Sequence, residues 1–301
     1  MAPFLLEKAL EHWTDYWCSK EIGCLPGKAN EELNNLINSQ WKLFGTRFCE
    51  SDGLAILDLA CGSGMVSHIL ADTLKYEAYF NCLDAGKVSF SLPQKHKLNL
   101  LSEFTINEKS QLEKKFDLIV SNFGAEYIKE NDIIEFISNH INSDGYIALN
   151  LHHEQSIITE KSKQVSNAIS AWTSNQRLQN LENKLNFNFS VADAKSYIDI
   201  LLQLNIQNAE VANSGLASDI VNMMSRYQKG SLDKLEFDSI RNTYINYQNR
   251  LNQQIESATN AARLVSEIKI SPYFEVITLE QLTISGKNIS TFIIFKPAIN
   301  I

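Results

Sequence analysis

The feature that most constrains this chain is the segment at residues 56–64 (ILDLACGSG), in which an apolar run passes directly into a turn with two glycines. A helical pattern begins at once near Met65, so the chain must turn sharply within a few residues. Glycine allows such a turn because it adopts positive φ and lets a ligand approach the backbone closely. Two acids sharpen the signal: Asp58 lies in the apolar run, and Asp84 ends the next one. The pattern indicates a ligand site where a buried strand turns into a helix.

From residue 54 onward, short apolar runs alternate with helical patterns. Strands that are apolar on both faces are typical of a parallel sheet that helices cover on both sides. We therefore expect an α/β fold with a doubly wound sheet, closed by a hairpin around residues 285–288. The predicted strands are 54–59, 78–83, 98–101, 116–120, 146–151, 274–284 and 291–295, with helices at 65–74 and 133–141.

Helical periodicity dominates the rest of the chain. Apolar residues repeat in steps of three and four over 232–265, which predicts one long helix, and a capping box at Ser190 predicts the start of another. We expect an N-terminal helical cover (1–50), a core (51–153 and 268–301) and a helical cap insertion (154–267). We expect the cap to form a homodimer surface and one wall of the substrate pocket. The candidate residues for this wall are Trp172, Arg177, Tyr197, Arg226, Tyr227, Tyr244 and Arg250.

Charge and composition restrict the partners. The chain has 35 acidic and 27 basic residues, for a net charge of −8, whereas a grip on phosphate backbones needs clustered cations. No apolar run approaches the roughly 18 residues of a membrane span, and no signal-peptide pattern opens the sequence. The five cysteines form no CxxC pair, so no metal site is indicated. We expect a cytoplasmic protein that acts on a small molecule, without metal, nucleic acid or membrane.

The turn at 56–64 resembles the first motif of the class I S-adenosylmethionine-dependent methyltransferases, whose form is hydrophobic-hydrophobic-Asp-hydrophobic-small-x-Gly-x-Gly. The resemblance implies that the backbone of Ala60, Gly62 and Gly64 passes under the methionine part of the cofactor. Asp58 would accept from its amino group, and Asp84 from both ribose hydroxyls. A nicotinamide dehydrogenase would have a third glycine where this chain has Ser67.

Further segments carry the same resemblance. Residues 116–123 are similar to the family's fourth strand, which would bring Asn122 and Phe123 beside the cofactor. Ala85 and either Ser102 or Glu103 would complete the cofactor site. The closing hairpin is similar to the family's last two strands, which implies a seven-stranded sheet, mostly parallel, with its last strand antiparallel.

Two groups of residues are open to more than one interpretation. Trp13, Tyr16 and Trp17 either form an aromatic lid over the cofactor, since ring faces attract a sulfonium cation, or belong to a helix packed on the sheet. For catalysis, His152 or His153 is a candidate base, although one of two adjacent histidines must point away. Glu126 is a rival, or else a solvated glutamate at a helix start.

The resemblance implies a methyltransferase that uses S-adenosylmethionine and methylates O, N or C of a small molecule. Exocyclic amine methylation is disfavoured because the Asn/Asp-Pro-Pro-aromatic motif is replaced by Ser121-Asn-Phe-Gly124, and no Pro-Cys dipeptide exists for a cytosine nucleophile. The alternatives are a peptide or protein methyltransferase and a non-catalytic helical interaction protein that binds the cofactor.

Overall fold

A computed structural model of the chain describes residues 13–14, 17, 30–104, 112, 114–173, 211–212, 214–228 and 234–298. The chain divides into two compact units, one formed by Met1–Ile157 with Glu256–Ile301 and the other by Ile158–Ile255. Ser190, Arg177, Tyr197 and Tyr16 lie outside the described residues, as do the side chains of Trp172 and Tyr227.

The first unit is built on a seven-stranded sheet. Its strands are β1 (Leu54–Leu59), β2 (Ala78–Leu83), β3 (Lys97–Leu101), β4 (Phe116–Asn122), β5 (Ile141–His152), β6 (Phe274–Ile284) and β7 (Lys287–Pro297). They lie in the order β3-β2-β1-β4-β5-β7-β6. Strands β1 to β5 pair in parallel, and β7 pairs antiparallel with both β5 and β6. The predicted doubly wound sheet is confirmed, and its order reverses between β1 and β4, where ligands bind in such folds.

Helices cover both faces of this sheet because its central strands are apolar on both. On one face, α1 (Glu31–Thr46) buries Trp41, whose ring packs edge-to-face on Phe292 of β7 with centroids 5.0 Å apart. Beside it lies α2 (Met65–Thr73). On the other face, α3 (Glu130–His140) contributes Phe136, and the last helix contributes Leu264, to one buried cluster.

The closing hairpin turns through two residues, Ser285 (φ +50°) and Gly286 (φ +75°). Positive φ at both positions matches the twist of the strands on either side. The predicted turn is confirmed, but β7 begins at Lys287 rather than at residue 291, because the tight turn lets polar residues continue the ladder.

The second unit is helical where it is described. It contains α4 (Ile157–Thr173), α5 (Leu216–Gln228) and the first part of α6 (Lys234–Ile270), which forms the predicted long helix. Three of the proposed pocket residues have partners inside this unit. Arg226 pairs with Glu236, Tyr244 donates to Asp219 at 2.5 Å, and Arg250 lies over the Tyr247 ring. Among the described residues, no helix has the length and apolar character needed to cross a membrane.

Candidate functional site

The turn after β1 folds into left-handed backbone at three positions. Ala60, Gly62 and Gly64 have φ of +54°, +52° and +78°. The Cys61 N–H donates to the carbonyl oxygen of Leu83 at 3.0 Å, which ties the turn to the end of β2. Because Ala60 carries a side chain at positive φ, this turn stores strain that the surrounding contacts must hold.

Asp84 joins this turn to the one that follows β2. Its Oδ2 accepts from the N–H of Gly62 at 2.8 Å, and its Oδ1 accepts from the N–H of Gly86 at 2.7 Å. Burial raises the pKa of Asp84 to about 6, against the lowering effect of these two hydrogen bonds. A carboxylate offers about four lone-pair positions, so about two remain for other donors.

Asp58 lies deeper, at the end of β1, with 1% of its surface exposed. Its Oδ2 accepts from Ser67 Oγ at 2.6 Å, and burial raises its pKa to about 7. Ser67 in turn lies 3.1 Å from Cys82 Sγ. Sequence reasoning missed this role of Ser67. In the sequence, Ser67 served only as evidence against a nicotinamide dehydrogenase.

Aromatic rings lie directly on the glycines of the turn. A Cβ built on Gly62 would stand 2.7 Å from Trp17 Cζ2, and one built on Gly64 would stand 2.6 Å from two ring carbons of Phe90. Trp17 therefore lies beside the turn, a position that either interpretation of the N-terminal aromatic residues allows. Phe90 was not singled out from the sequence, because it lies 26 residues downstream in a segment without a regular pattern.

The loops after β2 and β3 are pinned to each other. The Asp84 N–H donates to the carbonyl oxygen of Leu101 at 3.1 Å, and the Glu103 N–H donates to the carbonyl oxygen of Gly86 at 3.2 Å. Ala85 and Ser102 are half-buried, whereas Glu103 is exposed. The structure thus brings both Ala85 and Ser102 to the same edge of the sheet as Asp84.

At the end of β4, Asn122 takes part in a buried polar contact with the first helix. Its Oδ1 accepts from Trp41 Nε1 at 2.9 Å and from Asn150 Nδ2 at 2.8 Å. Phe123, the next residue, has φ of +56° and packs on the His152 ring with centroids 4.4 Å apart. The side-chain oxygen of Asn122 therefore ties α1, β4 and β5 together.

Glu126 and His152 form a buried pair beyond β4 and β5. Glu126 is 0% exposed and His152 is 3% exposed. Glu126 Oε1 lies 2.7 Å from His152 Nδ1 and also accepts from the His152 backbone N–H at 2.9 Å. No described residue donates to Glu126 Oε2. The interpretation of Glu126 as a solvated glutamate is therefore wrong.

The side chain of His153 makes different contacts from those of the His152 side chain. Its Nδ1 accepts from the Gln155 N–H at 3.1 Å, and its Nε2 lies 3.3 Å from Gln281 Nε2 on β6. Ser257 of α6, which sequence reasoning missed, lies instead 3.5 Å from His152 Nδ1. Of the three candidate catalytic residues, the structure brings together Glu126 and His152.

No group of three or more His, Cys, Asp or Glu side chains in the described part of the chain is placed to hold a metal ion. The site at this edge is instead formed by two buried acids, three backbone turns and aromatic rings. A histidine–carboxylate pair lies at the end of β5.

Residues 50–188 match the family profile of a methyltransferase domain. No curated protein sequence matches the chain significantly. Among solved structures, the chain is similar to an O-methyltransferase from Bacillus cereus in complex with S-adenosylhomocysteine, at 11% identity and a TM-score of 0.42, covering 96% of this chain and 100% of that chain. It is also similar to the magnesium protoporphyrin IX methyltransferase from Synechocystis PCC 6803 with bound S-adenosylhomocysteine, at 9% identity and a TM-score of 0.42, covering 98% and 97%. A third is the O-methyltransferase TomG from Streptomyces achromogenes in complex with S-adenosylmethionine, at 8% identity and a TM-score of 0.42, covering 96% and 98%.

At such low identities and TM-scores these likenesses carry no information about the acceptor. The sheet order and the matched domain both indicate a methyltransferase domain, and the methyl donor of that family is S-adenosylmethionine. Residues 50–188 of this chain therefore form a methyltransferase domain.

Proposed function

We propose that this methyltransferase acts on a hydroxyl group of a small-molecule acceptor, with His152 as the base and Glu126 as the residue that orients it. The observation that carries the proposal is the buried Glu126–His152 pair at the carboxyl end of β5. That edge also carries the turns after β1 and β2, so the pair lies on the side of the sheet where the cofactor residues lie.

The residues around the β1 turn fit S-adenosylmethionine. Gly62 and Gly64 present bare backbone where any side chain would strike a neighbouring ring. The lone pairs left on Asp84 suit two converging ribose hydroxyls, and Asp58 suits the amino group of the methionine part. Ala60, Ala85, Ser102, Asn122, Phe123 and Trp17 are the further residues that we assign to this site.

The Glu126–His152 pair is suited to removing a proton from a hydroxyl group. S-adenosylmethionine, when bound, supplies a methyl group on a positively charged sulfur, which is already a good leaving group. A hydroxyl must lose its proton as its oxygen gains the methyl group, so a base beside it assists the reaction. Beside the Glu126 carboxylate, Nδ1 of His152 would hold the ring proton, which would leave the lone pair of the base on Nε2. Glu126 also stabilises the ring once it holds the acceptor's proton.

The test is an assay of S-adenosylhomocysteine release over a panel of phenols, carboxylic acids, amines, thiols and peptides. For the best hydroxyl acceptor, His152→Ala should lower kcat about 10²- to 10⁴-fold, the usual contribution of a positioned base. Glu126→Gln should lower it less, because the imidazole remains. His153→Ala is the matched control and should leave kcat near the wild-type value.

Three results would contradict this proposal. Equal turnover by wild type and His152→Ala would show that His152 is not the base. A preference for peptide acceptors would show that the substrate is not a small molecule. Cofactor binding without turnover of any acceptor would favour a non-catalytic binding protein instead.

A further inference from the structure

Three residues near the N-terminus, Trp13, Thr14 and Trp17, which we call the N-terminal segment, contact both parts of the site. The Trp17 ring lies on Gly62, with three of its atoms 2.7–2.9 Å from the place of a Cβ on that glycine. The Trp13 and Trp17 rings stack with centroids 6.3 Å apart and planes at 21°. One ring contact therefore links Trp13 to the glycine turn.

Trp13 is also linked by ring contacts to the Glu126–His152 pair. Its ring meets Tyr127 edge-to-face, with centroids 5.4 Å apart and planes at 88°. Tyr127 meets the His152 ring edge-to-face at 6.0 Å, and it directly follows Glu126 in the short 3-10 helix Ala125–Tyr127. The rings of Trp17, Trp13, Tyr127 and His152 form a continuous series, which we call the aromatic series.

Thr14 attaches the same segment to the turn after β2. The Lys87 N–H donates to Thr14 Oγ1 at 3.0 Å, and a Cβ on Gly86 would stand 3.3 Å from the Thr14 nitrogen. Gly86 is one of the two glycines whose N–H groups hold Asp84. The segment therefore contacts both turns to which Asp84 is bonded.

We propose that Trp13 is a positioning residue that couples cofactor binding at the glycine turn to the orientation of His152. This rests on the proposed function in one respect, namely that the cofactor lies against Gly62 and His152 faces the acceptor. Packed aromatic rings have preferred offset or edge-to-face geometries. A shift of Trp17 at the turn therefore moves Trp13, which moves Tyr127 against the histidine.

Edge-to-face contact is specific to aromatic rings, so substitutions at Trp13 separate this role from simple space filling. Trp13→Phe keeps a ring edge toward Tyr127, whereas Trp13→Leu keeps apolar bulk without a ring. If Trp13 only fills space, both variants should behave alike. If it couples the two groups, the phenylalanine variant should retain the coupling and the leucine variant should lose it.

The experiment records histidine ring signals by NMR in the full chain, with S-adenosylhomocysteine as the probe and no acceptor. The chain has six histidines, and His152→Gln identifies the signal of His152. Calorimetry measures binding of the probe to each variant. We expect saturating probe to shift the His152 signal in wild type and in Trp13→Phe, and to leave it unshifted in Trp13→Leu although the probe still binds. Tyr273→Leu, which removes an exposed aromatic ring elsewhere, should respond like wild type.

The outcomes separate this proposal from the proposed function. A probe-induced shift that persists in Trp13→Leu, or binding without any shift in wild type, would overturn the coupling and leave the methyltransferase site standing. Failure of wild type to bind the probe would overturn the proposed cofactor site and the coupling with it. If Trp13→Leu does not fold, Tyr127→Leu breaks the next contact of the aromatic series and is judged by the same outcomes.

Discussion

Asp84 holds two turns together, because each of its carboxylate oxygens accepts one backbone N–H. Asp84→Asn replaces one of those oxygens by an NH2 group, which donates and cannot accept. We expect it to weaken S-adenosylhomocysteine binding by about 1–3 kcal/mol, the usual cost of leaving buried polar groups unpaired. Calorimetry checks this, with the exposed Asp144→Asn as control. Unchanged affinity in a folded Asp84→Asn variant would mean that Asp84 does not hold the cofactor.

The buried acids also predict a pH dependence. Burial raises the pKa of Asp58 to about 7 and that of Asp84 to about 6, above the value of an exposed carboxyl group in the unfolded chain. The folded chain therefore binds more protons than the unfolded chain between about pH 4 and pH 7, so these groups make stability fall as pH rises through that window. If both groups bind the cofactor as carboxylates, as we propose, its affinity should rise through the same window.

Asn substitution separates these two effects. Melting temperatures across pH 5 to 8 should depend less on pH in Asp58→Asn than in wild type, because the variant loses the titrating group. Calorimetric affinity for S-adenosylhomocysteine should be lower at pH 5.5 than at pH 7.5 in wild type. An affinity that is flat over this range would contradict the assignment of these acids to the cofactor.

How well a residue's role could be predicted depended on how local its signal is. Asp58 lies near the end of one apolar run and Asp84 ends the next, so their shared edge of the sheet followed from the pattern. The contact of Trp41 with Asn122 joins positions 81 residues apart, and no local pattern encodes it. The pairing of Glu126 with His152 is also distant, and sequence reasoning held them as rivals rather than as partners.

Among the elements, the turn between β1 and α2 has two glycines at positive φ, and aromatic rings fill the place of a Cβ on each. Gly62→Ala would put a side chain at φ +52° and against the Trp17 ring. We expect it to destabilise the fold by about 1–2 kcal/mol through backbone strain. We also expect it to weaken S-adenosylhomocysteine binding at least tenfold, which corresponds to about 1.4 kcal/mol of binding free energy. Thermal melts and calorimetry measure the two effects.

Gly53 provides a matched control for this turn. It also has positive φ, at +70°, but nothing lies within 4 Å of its place for a Cβ. Gly53→Ala should therefore carry the strain, cost a similar amount of stability and leave cofactor affinity unchanged. If the two variants weaken binding equally, the effect on Gly62 comes from general strain and the turn has no special role in binding.

Strand positions followed from the sequence where the apolar pattern was unbroken, and β1 and β2 have the predicted bounds. The start of β5 did not follow. Its first residue, Ile141, pairs with Phe116, and the ladder resumes only at Tyr146 opposite Leu118. The polar residues between them resemble a turn, and the Asn142 side chain stays beside β4 by donating to Asp117 at 2.7 Å.

For the whole molecule, the net charge of −8 predicts weak interaction with nucleic acids. Affinity for a phosphate backbone comes mainly from clustered cations that release counterions. We expect no tight binding of RNA or DNA at physiological salt in a filter-binding assay. Submicromolar affinity that falls steeply with added salt would contradict the small-molecule assignment.

The central claim is that this chain holds S-adenosylmethionine at the turn between β1 and α2, against Asp84. The most direct measurement is calorimetric titration of the full chain with S-adenosylhomocysteine, repeated with Gly62→Ala and Gly53→Ala. The account predicts one binding site per chain in wild type and in Gly53→Ala, displaced by S-adenosylmethionine, with much weaker binding in Gly62→Ala. Absence of binding to folded wild-type protein, or equal binding by all three, would contradict it.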